Sequence, residues 1–545
     1  MIILGACAKI VAPTGGPKDT TPPKVLKEVP VNGSVRLKEP VVKVTFDEYF
    51  TLNNPTDNVL ISPPLQEQPH FNVNGKTMVI KFKEELRPNT TYNLVFSNCI
   101  QDYHESNKLS YYHYSFSTGD IIDTFMLAGK VNMAGTLEPG EDLFVFLYDQ
   151  DVDSLPMTTR PTYLTKTQKD GSFAFHNVQP GDYKVFALKD LNANLLYDLP
   201  DESVAFVSGT VASYPEPKRD TTAKRDATTT TALPKLDLFA FVAPAAEPTL
   251  LRYENPAVGI YKFPYKSAVE QFTATPLERD VPHFQTINKS MDTITWYLKE
   301  TLNDTLEYAF IADGHSDTVR ISPFKAKKGP APRGGARNTN ASSLAISVLN
   351  QGHRFKPITL AFSYPVMPTD SIDILFISHH KSDTDTVVCR TAVPDSLVTR
   401  LPLTVQLEDK KNYTMIIPDS VFQGYNGGYN DSIKSTFTQK TEKDYGSLIM
   451  EYSMKKAKCQ YIIQLWNGAT MIQEDILTNT ATISYLGLDP GGYSIRAIED
   501  RNNNGRWDAG DYRTGLQPER IISYPSVINI RAFWENKESF NLTEE

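Results

Sequence analysis

The chain has 545 residues, a net charge of −9, and 40 % hydrophobic against 22 % charged residues. At roughly 100–200 residues per domain, that length excludes a single core and predicts about three to five domains. The mild acidity excludes the basic footprint of a nucleic-acid binder, and no stretch is long and apolar enough to span a bilayer as a helix. With 27 Tyr and 27 Phe the composition favours strands, whose pleated surface packs flat rings well.

The first element is the run Met-Ile-Ile-Leu-Gly-Ala-Cys. Leu4-Gly5-Ala6-Cys7 resembles a bacterial lipobox, in which small residues let a peptidase grip the backbone before a cysteine that becomes acylated. Acyl chains on Cys7 would hold the protein on a membrane, because each buried methylene adds about 0.8 kcal/mol. Only Met1 to Ala6 precede it, fewer than the apolar stretch of about 7–15 residues of an export signal, which leaves Met1 open as the true start. The competing reading is an incidental or buried cysteine. Residues 12–23, rich in Pro, Gly and Thr, then read as an extended tether that forms neither helix nor central strand.

From there the pattern alternates. Val42–Phe46, Met78–Phe82, Asn89–Phe96 and Tyr112–Phe116 read as strands with one apolar face, so residues 24–120 are expected to form a sandwich. A second sandwich is expected over 121–213, with strands near Thr124–Val131 and Leu143–Tyr148 and turns at Asp170-Gly171 and Pro180-Gly181. Residues 214–235 are Thr-rich and poor in hydrophobics and read as a flexible insertion. A third sandwich is expected over 236–325, with strands such as Thr293–Leu298 and Thr318–Ile321, followed by a linker over 326–345.

The first pattern then returns. Ile358–Pro365, Asn412–Pro418 and Asn430–Phe437 are similar to the strands of the first unit, giving a domain over 346–442. Gly487–Ala497 mirrors Asn177–Ala187, giving a domain over 443–545. The predicted order is A-B, a middle unit, then A-B, and the fold class is all-β. The period is far longer than that of a solenoid.

The residues quoted so far carry a family likeness. Cys7-Ala8, the tether, Phe46-Asp47-Glu48-Tyr49, Leu86–Tyr92 and Phe116–Asp120 resemble the Ig-like lipoproteins of the Bacteroidota, whose first domain is an SbsA-type bacterial Ig-like domain. The B units resemble carboxypeptidase regulatory-like or Cna-B-like sandwiches of the prealbumin kind. The resemblance implies tandem Ig-like and prealbumin-like sandwiches in a cell-envelope lipoprotein, on the outer membrane, on either its periplasmic or its surface face. It implies no reaction, because fold does not supply chemistry.

Two acidic loops stand out. In the second, Asp500, Asn502 and Asn504 take positions 1, 3 and 5 of a calcium loop, Gly505 position 6, Asp508 position 9 and Asp511 position 12. Calcium takes about six to eight oxygens, and alternate residues of a tight loop can turn their side chains inward. The first loop offers Asp190, Asn192, Asn194, Asp198 and Asp201, but Leu195 stands where glycine is expected, so the bend would be strained. The other reading of both is an Asx-rich turn that bonds its own backbone. In either case the role is structural, and no cofactor beyond this calcium is implied.

No chemistry emerges elsewhere. No His-Glu-x-x-His, nucleophile elbow or phosphate-binding glycine loop occurs. His379-His380, neighbours on a strand, diverge and cannot easily share a metal, and Asp47 and Glu48 diverge likewise. Tyr425-Asn426-Gly427-Gly428-Tyr429-Asn430 is either a sandwich loop or a sugar-stacking loop. Triplets such as Asp292-Thr293-Ile294 resemble an O-glycosylation sequon and equally suit the start of a strand. The expectation is therefore a non-enzymatic protein anchored through Cys7, acting on an unidentified protein or glycan partner. Alternatives are a carbohydrate-binding or adhesin-like module, an envelope-assembly factor, and an enzyme whose site forms between domains.

Overall fold

The computed structural model describes residues 19–216, 236–245, 247–325, 343–380, 383–454 and 459–542. The chain divides into two compact units, one comprising 1–243 and 509–518 and the other 244–508 and 519–545. The described residues are almost all strand and loop, in small sandwiches. The all-β class read from the alternating pattern is what the chain adopts.

In the first unit, Val25–Val29, Val41–Phe46, Thr77–Lys81 and His70–Asn74 make one sheet, and Tyr112–Ser117, Thr91–Phe96 and Val59–Ser62 a second. Val42, Val44 and Phe46 point inward between polar neighbours, so alternation alone builds the core face. The next sandwich places Phe144–Tyr148 and Asp182–Leu188 at its centre. Its last strand is Leu236–Val242, parallel to Phe125–Met133 and antiparallel to Ser203–Phe206. This corrects the expected third sandwich over 236–325: its first seven residues close the second sandwich instead. The apolar side chains Leu238 and Ala240 are buried in that core. Tyr214–Pro215 also corrects the insertion's start, because it pairs with Phe125 and Met126. Residues 217–235 lie outside the described residues.

Side chains tie the two sandwiches of this unit together. Leu164 N–H donates to Ser62 Oγ (3.1 Å), Asn93 Nδ2 to the His176 carbonyl (3.0 Å), and Asp123 N–H to Thr91 Oγ1 (3.1 Å). His113 is half-buried at this seam with Nε2 3.1 Å from Asn93 Oδ1, while His176 Nδ1 meets Glu216 (2.9 Å). Burial holds the His113 pKa below its ordinary value, and the neighbouring His176 adds to that, with Glu216 opposing. The folded state therefore prefers neutral His113. Its contribution is complete above the unfolded value of about 6.5 and is lost as pH falls from there toward the lower folded value. Thermal melts of the wild type between neutral and mildly acidic pH are expected to fall faster than those of His113→Asn. Parallel pH profiles would refute this. His353 in the other unit, also lowered by burial, is common to both proteins.

In the second unit, a sandwich over 250–322 packs around Trp296, whose ring meets Phe263, Tyr308 and Phe310 and stacks on His283 at 3.9 Å. The next one joins Ile346–Leu349, Thr359–Val366 and Val398–Pro402 to a sheet of Asp383–Val393, Thr369–His380, Asn412–Ile417 and Ile433–Thr438. Leu344, placed in the linker by its sequence, is a buried member of this core. Tyr364 links the two sandwiches: its hydroxyl reaches the Gly259 and Leu298 carbonyls at 2.8 and 2.7 Å. A Cβ on Gly259 would lie 2.5 Å from that hydroxyl, so the contact requires glycine.

The last sandwich repeats the strand map of the second. Gly446–Ser453 pairs antiparallel with Ala481–Leu488 and parallel with the closing strand Glu535–Asn541, as Phe125–Met133 does with Ser172–Val178 and Leu236–Val242. Individual bonds repeat too. Tyr183 and Tyr493 each donate to the carbonyl four residues back, at 2.8 Å. In the first and fourth sandwiches, Tyr92 and Tyr413 each accept from the N–H five residues back, at 2.9 and 3.0 Å.

Candidate functional site

The two acidic loops leave equivalent strands, Asp182–Leu188 and Gly491–Asp500, and share one geometry. In the first, Leu195 N–H donates to Asp190 Oδ2 (2.8 Å), Asn194 N–H to Asn192 Oδ1 (3.3 Å) and Leu196 N–H to Asn194 Oδ1 (2.7 Å). In the second, Gly505 N–H donates to Asp500 Oδ2 (2.8 Å), Asn504 N–H to Asn502 Oδ1 (3.2 Å) and Arg506 N–H to Asn504 Oδ1 (3.0 Å). The amide nitrogens of Asn192 and Asn194 donate to Asp198, and those of Asn502 and Asn504 to Asp508. Each loop is thus a ladder of Asx turns closed by an aspartate, in which side-chain oxygens accept backbone N–H groups.

The position-12 residue of the second loop, Asp511, is bonded outside its ladder. Asp511 belongs to 509–518, the segment assigned to the first unit, where its carboxylate accepts from Arg513 N–H and Thr514 Oγ1. Asp201 lies exposed beyond the Asp198 closure. Among the described residues, no three His, Cys, Asp or Glu side chains are gathered as a metal would require. Adding calcium and then a chelator is expected to leave the melting temperature unchanged. A calcium-dependent rise would restore the ion-binding reading.

The residues that complete the loops are two glutamates the sequence reading passed over. Glu202, fully buried, accepts from Leu191, Asp198 and Leu199 N–H, each at 3.1 Å. Glu519, also buried, accepts from Arg501 (2.7 Å) and Asp508 (3.0 Å). Burial pushes the Glu519 pKa up, and the two N–H donors oppose that shift. The bend expected to be strained is so: Leu195 sits at φ +62°, where Gly505 sits at +79°. Two residues earlier, Ala193 at +59° matches Asn503 at +57°. Asparagine tolerates this region better than alanine, so Ala193→Asn is expected to stabilise by about 0.5 kcal/mol. A urea midpoint equal to or below wild type would contradict it.

The other candidates resolve into scaffold. Asn430 is buried and serves Phe422 N–H and the Pro418 carbonyl, and Asn426 Oδ1 accepts from Gly428 N–H. Those two amides hold their own loop. Asp47 accepts Lys24 N–H, and Glu48 is raised in pKa by burial first and then by neighbouring carboxylates. Thr293 begins a strand after a turn, as the triplet Asp292-Thr293-Ile294 suggested. Burial lifts the thiols of Cys99 (to about 11), Cys389 and Cys459, which makes them poor nucleophiles. Cys7 and the side chains of His379 and His380 lie outside what the structure describes.

Comparison with known proteins matches the first two of these sandwiches to family models. Residues 19–118 match the family model of the bacterial Ig-like domain, and residues 122–193 match that of the second β-sandwich domain of BOS complex subunit NOMO1-like proteins. No curated protein matches the chain. Among solved structures, domains 1–6 of the surface layer protein SbsC are 12 % identical at a TM-score of 0.14, covering 77 % of this chain and 67 % of that one. The Bacillus anthracis TIE protein is 9 % identical at 0.15, covering 97 % and 75 %. BcpA, the major pilin subunit of Bacillus cereus, is 9 % identical at 0.13, covering 76 % and 99 %. Such scores carry no functional argument.

Proposed function

We propose that this chain is a lipid-anchored protein of the bacterial cell envelope with a structural or binding role. Cys7 carries the acyl chains, residues 12–23 set the reach, and the sandwiches present surfaces to a partner. The observation that most supports this reading is how neighbouring sandwiches inside each unit are tied through side chains reaching backbone, as at Ser62, Asn93 and Tyr364. Such bonds favour fixed presentation over the opening and closing that many enzymes use. The Asx loops fit the same role, since their polar groups serve their own backbone. The prealbumin-like pedigree of the B units and the outer-membrane location belong to this proposal.

The test is metabolic labelling with a palmitate analogue, with and without a signal-peptidase II inhibitor, on wild type and Cys7→Ser. Label on wild type alone, with the unprocessed form accumulating under inhibitor, supports the anchor. An unlabelled protein recovered in the soluble fraction would sink it.

A further inference from the structure

The second unit carries an exposed aromatic turn that none of the readings above uses. Phe533 and Trp534, adjacent in sequence, are 71 % and 61 % exposed. Phe533 sits at φ +61°, a region an aromatic residue rarely adopts. The turn is nonetheless fixed: Phe533 N–H donates to the Tyr445 carbonyl (2.8 Å) and Ser447 N–H to the Trp534 carbonyl (3.0 Å). A left-handed residue held this firmly and turned outward is the kind of local strain that marks a working surface.

Behind the turn lies the buried Tyr445. The Tyr445 ring meets Phe355 at 5.5 Å, and Phe355 in turn abuts Gly487, where any Cβ would collide with its ring. Leu486, beside that glycine, is 61 % exposed. Cations line this surface. Lys443 Nζ lies 5.3 Å above the Phe533 ring and the Arg531 guanidinium 5.6 Å above Trp534. Lys356 is exposed next to Phe355. Of the acids nearby, Asp489 pairs with Lys440 and Glu535 with Lys537, Asp444 accepts from the neutral donors of Thr441, and Glu442 is exposed.

We propose that this surface docks on a bilayer containing anionic lipid. Exposed Trp and Phe at a turn, rimmed by Lys and Arg, are the groups that settle at the level of lipid headgroups. The cations of the rim, Lys443, Arg531 and Lys356, complement the phosphates of anionic headgroups. A polysaccharide would stack on ring faces, but a cation already covers one face of each ring. Inserting ring edges between headgroups needs no free face.

The docking does not depend on the Cys7 anchor, and the test separates them by using the full chain with Cys7→Ser. Vesicles of phosphatidylcholine, with or without about 30 % phosphatidylglycerol, are mixed with the protein and sedimented. Binding is expected with phosphatidylglycerol, with a blue shift of the Trp emission that Trp534→Phe abolishes. Phe533→Ser/Trp534→Ser is expected to weaken binding about tenfold or more. Lys443→Glu/Arg531→Glu is expected to remove the preference for phosphatidylglycerol, as is about 0.5 M salt. Both rings are exposed, so these variants should melt with the wild type, and melts verify that. No sedimentation with either vesicle, or binding that the substitutions leave intact, overturns the proposal. So does Trp534-dependent binding to a soluble anionic polysaccharide with none to vesicles.

Discussion

Replacing Tyr512 by alanine is expected to destabilise the first unit by about 3–5 kcal/mol, the cost of removing a large buried ring. Tyr512 lies in Ala509–Pro518, the segment that completes this unit. Its ring packs against Phe186 at 4.8 Å, Phe206 at 5.0 Å and Tyr197 at 6.2 Å, and its hydroxyl donates to the Asp153 carbonyl at 2.8 Å. Alanine leaves a cavity among three aromatic rings and removes that carbonyl's donor. Tyr512→Phe keeps the ring and loses only the hydrogen bond, about 1 kcal/mol. For a unit of this size, the alanine variant's melting transition should drop on the order of 10 °C. Calorimetry on the full chain reads this directly. An alanine variant that melts with the wild type would mean the ring is not seated where it is described, whereas equal losses for alanine and phenylalanine would put the whole effect in the hydroxyl.

That residue also marks the boundary of what the sequence discloses. The strands were legible because one period dominates: in Val41–Phe46 every second residue is buried, and nothing else in the segment competes. The turns were legible where glycine follows Asp or Pro, as at Gly171 and Gly181. The closing strand Leu236–Val242 was not, because its parallel partner lies about a hundred residues earlier, and local pattern does not encode crossover. Only its counterpart Glu535–Asn541 could have signalled it. The Asx ladders were visible as composition, but not the glutamates beneath them. Glu202 follows Asp198 almost at once, while Glu519 follows Asp508 only after the Ala509–Pro518 excursion, so the two loops fall out of register in sequence while matching in space.

Those hidden glutamates support the second large effect. Glu202→Ala is expected to cost about 3 kcal/mol, because a fully buried carboxylate is removed and the N–H groups of Leu191, Asp198 and Leu199 lose their acceptor together. Water can reach part of a vacated side-chain volume, which keeps the loss below the sum of three independent orphaned donors. Glu202→Gln retains one acceptor oxygen but turns an NH₂ toward N–H groups, so it should fall between wild type and alanine. Hydrogen exchange separates this from a general loss of stability. Amides of 191–199 should exchange faster in the alanine variant under conditions where those of Asp182–Leu188 keep their protection, because the strand's ladder to Phe144–Tyr148 is untouched. Uniform acceleration across both segments would instead make Glu202 a core residue whose loss opens the whole sandwich. A variant with wild-type exchange throughout would show that Asp190 and Asp198 hold the loop alone.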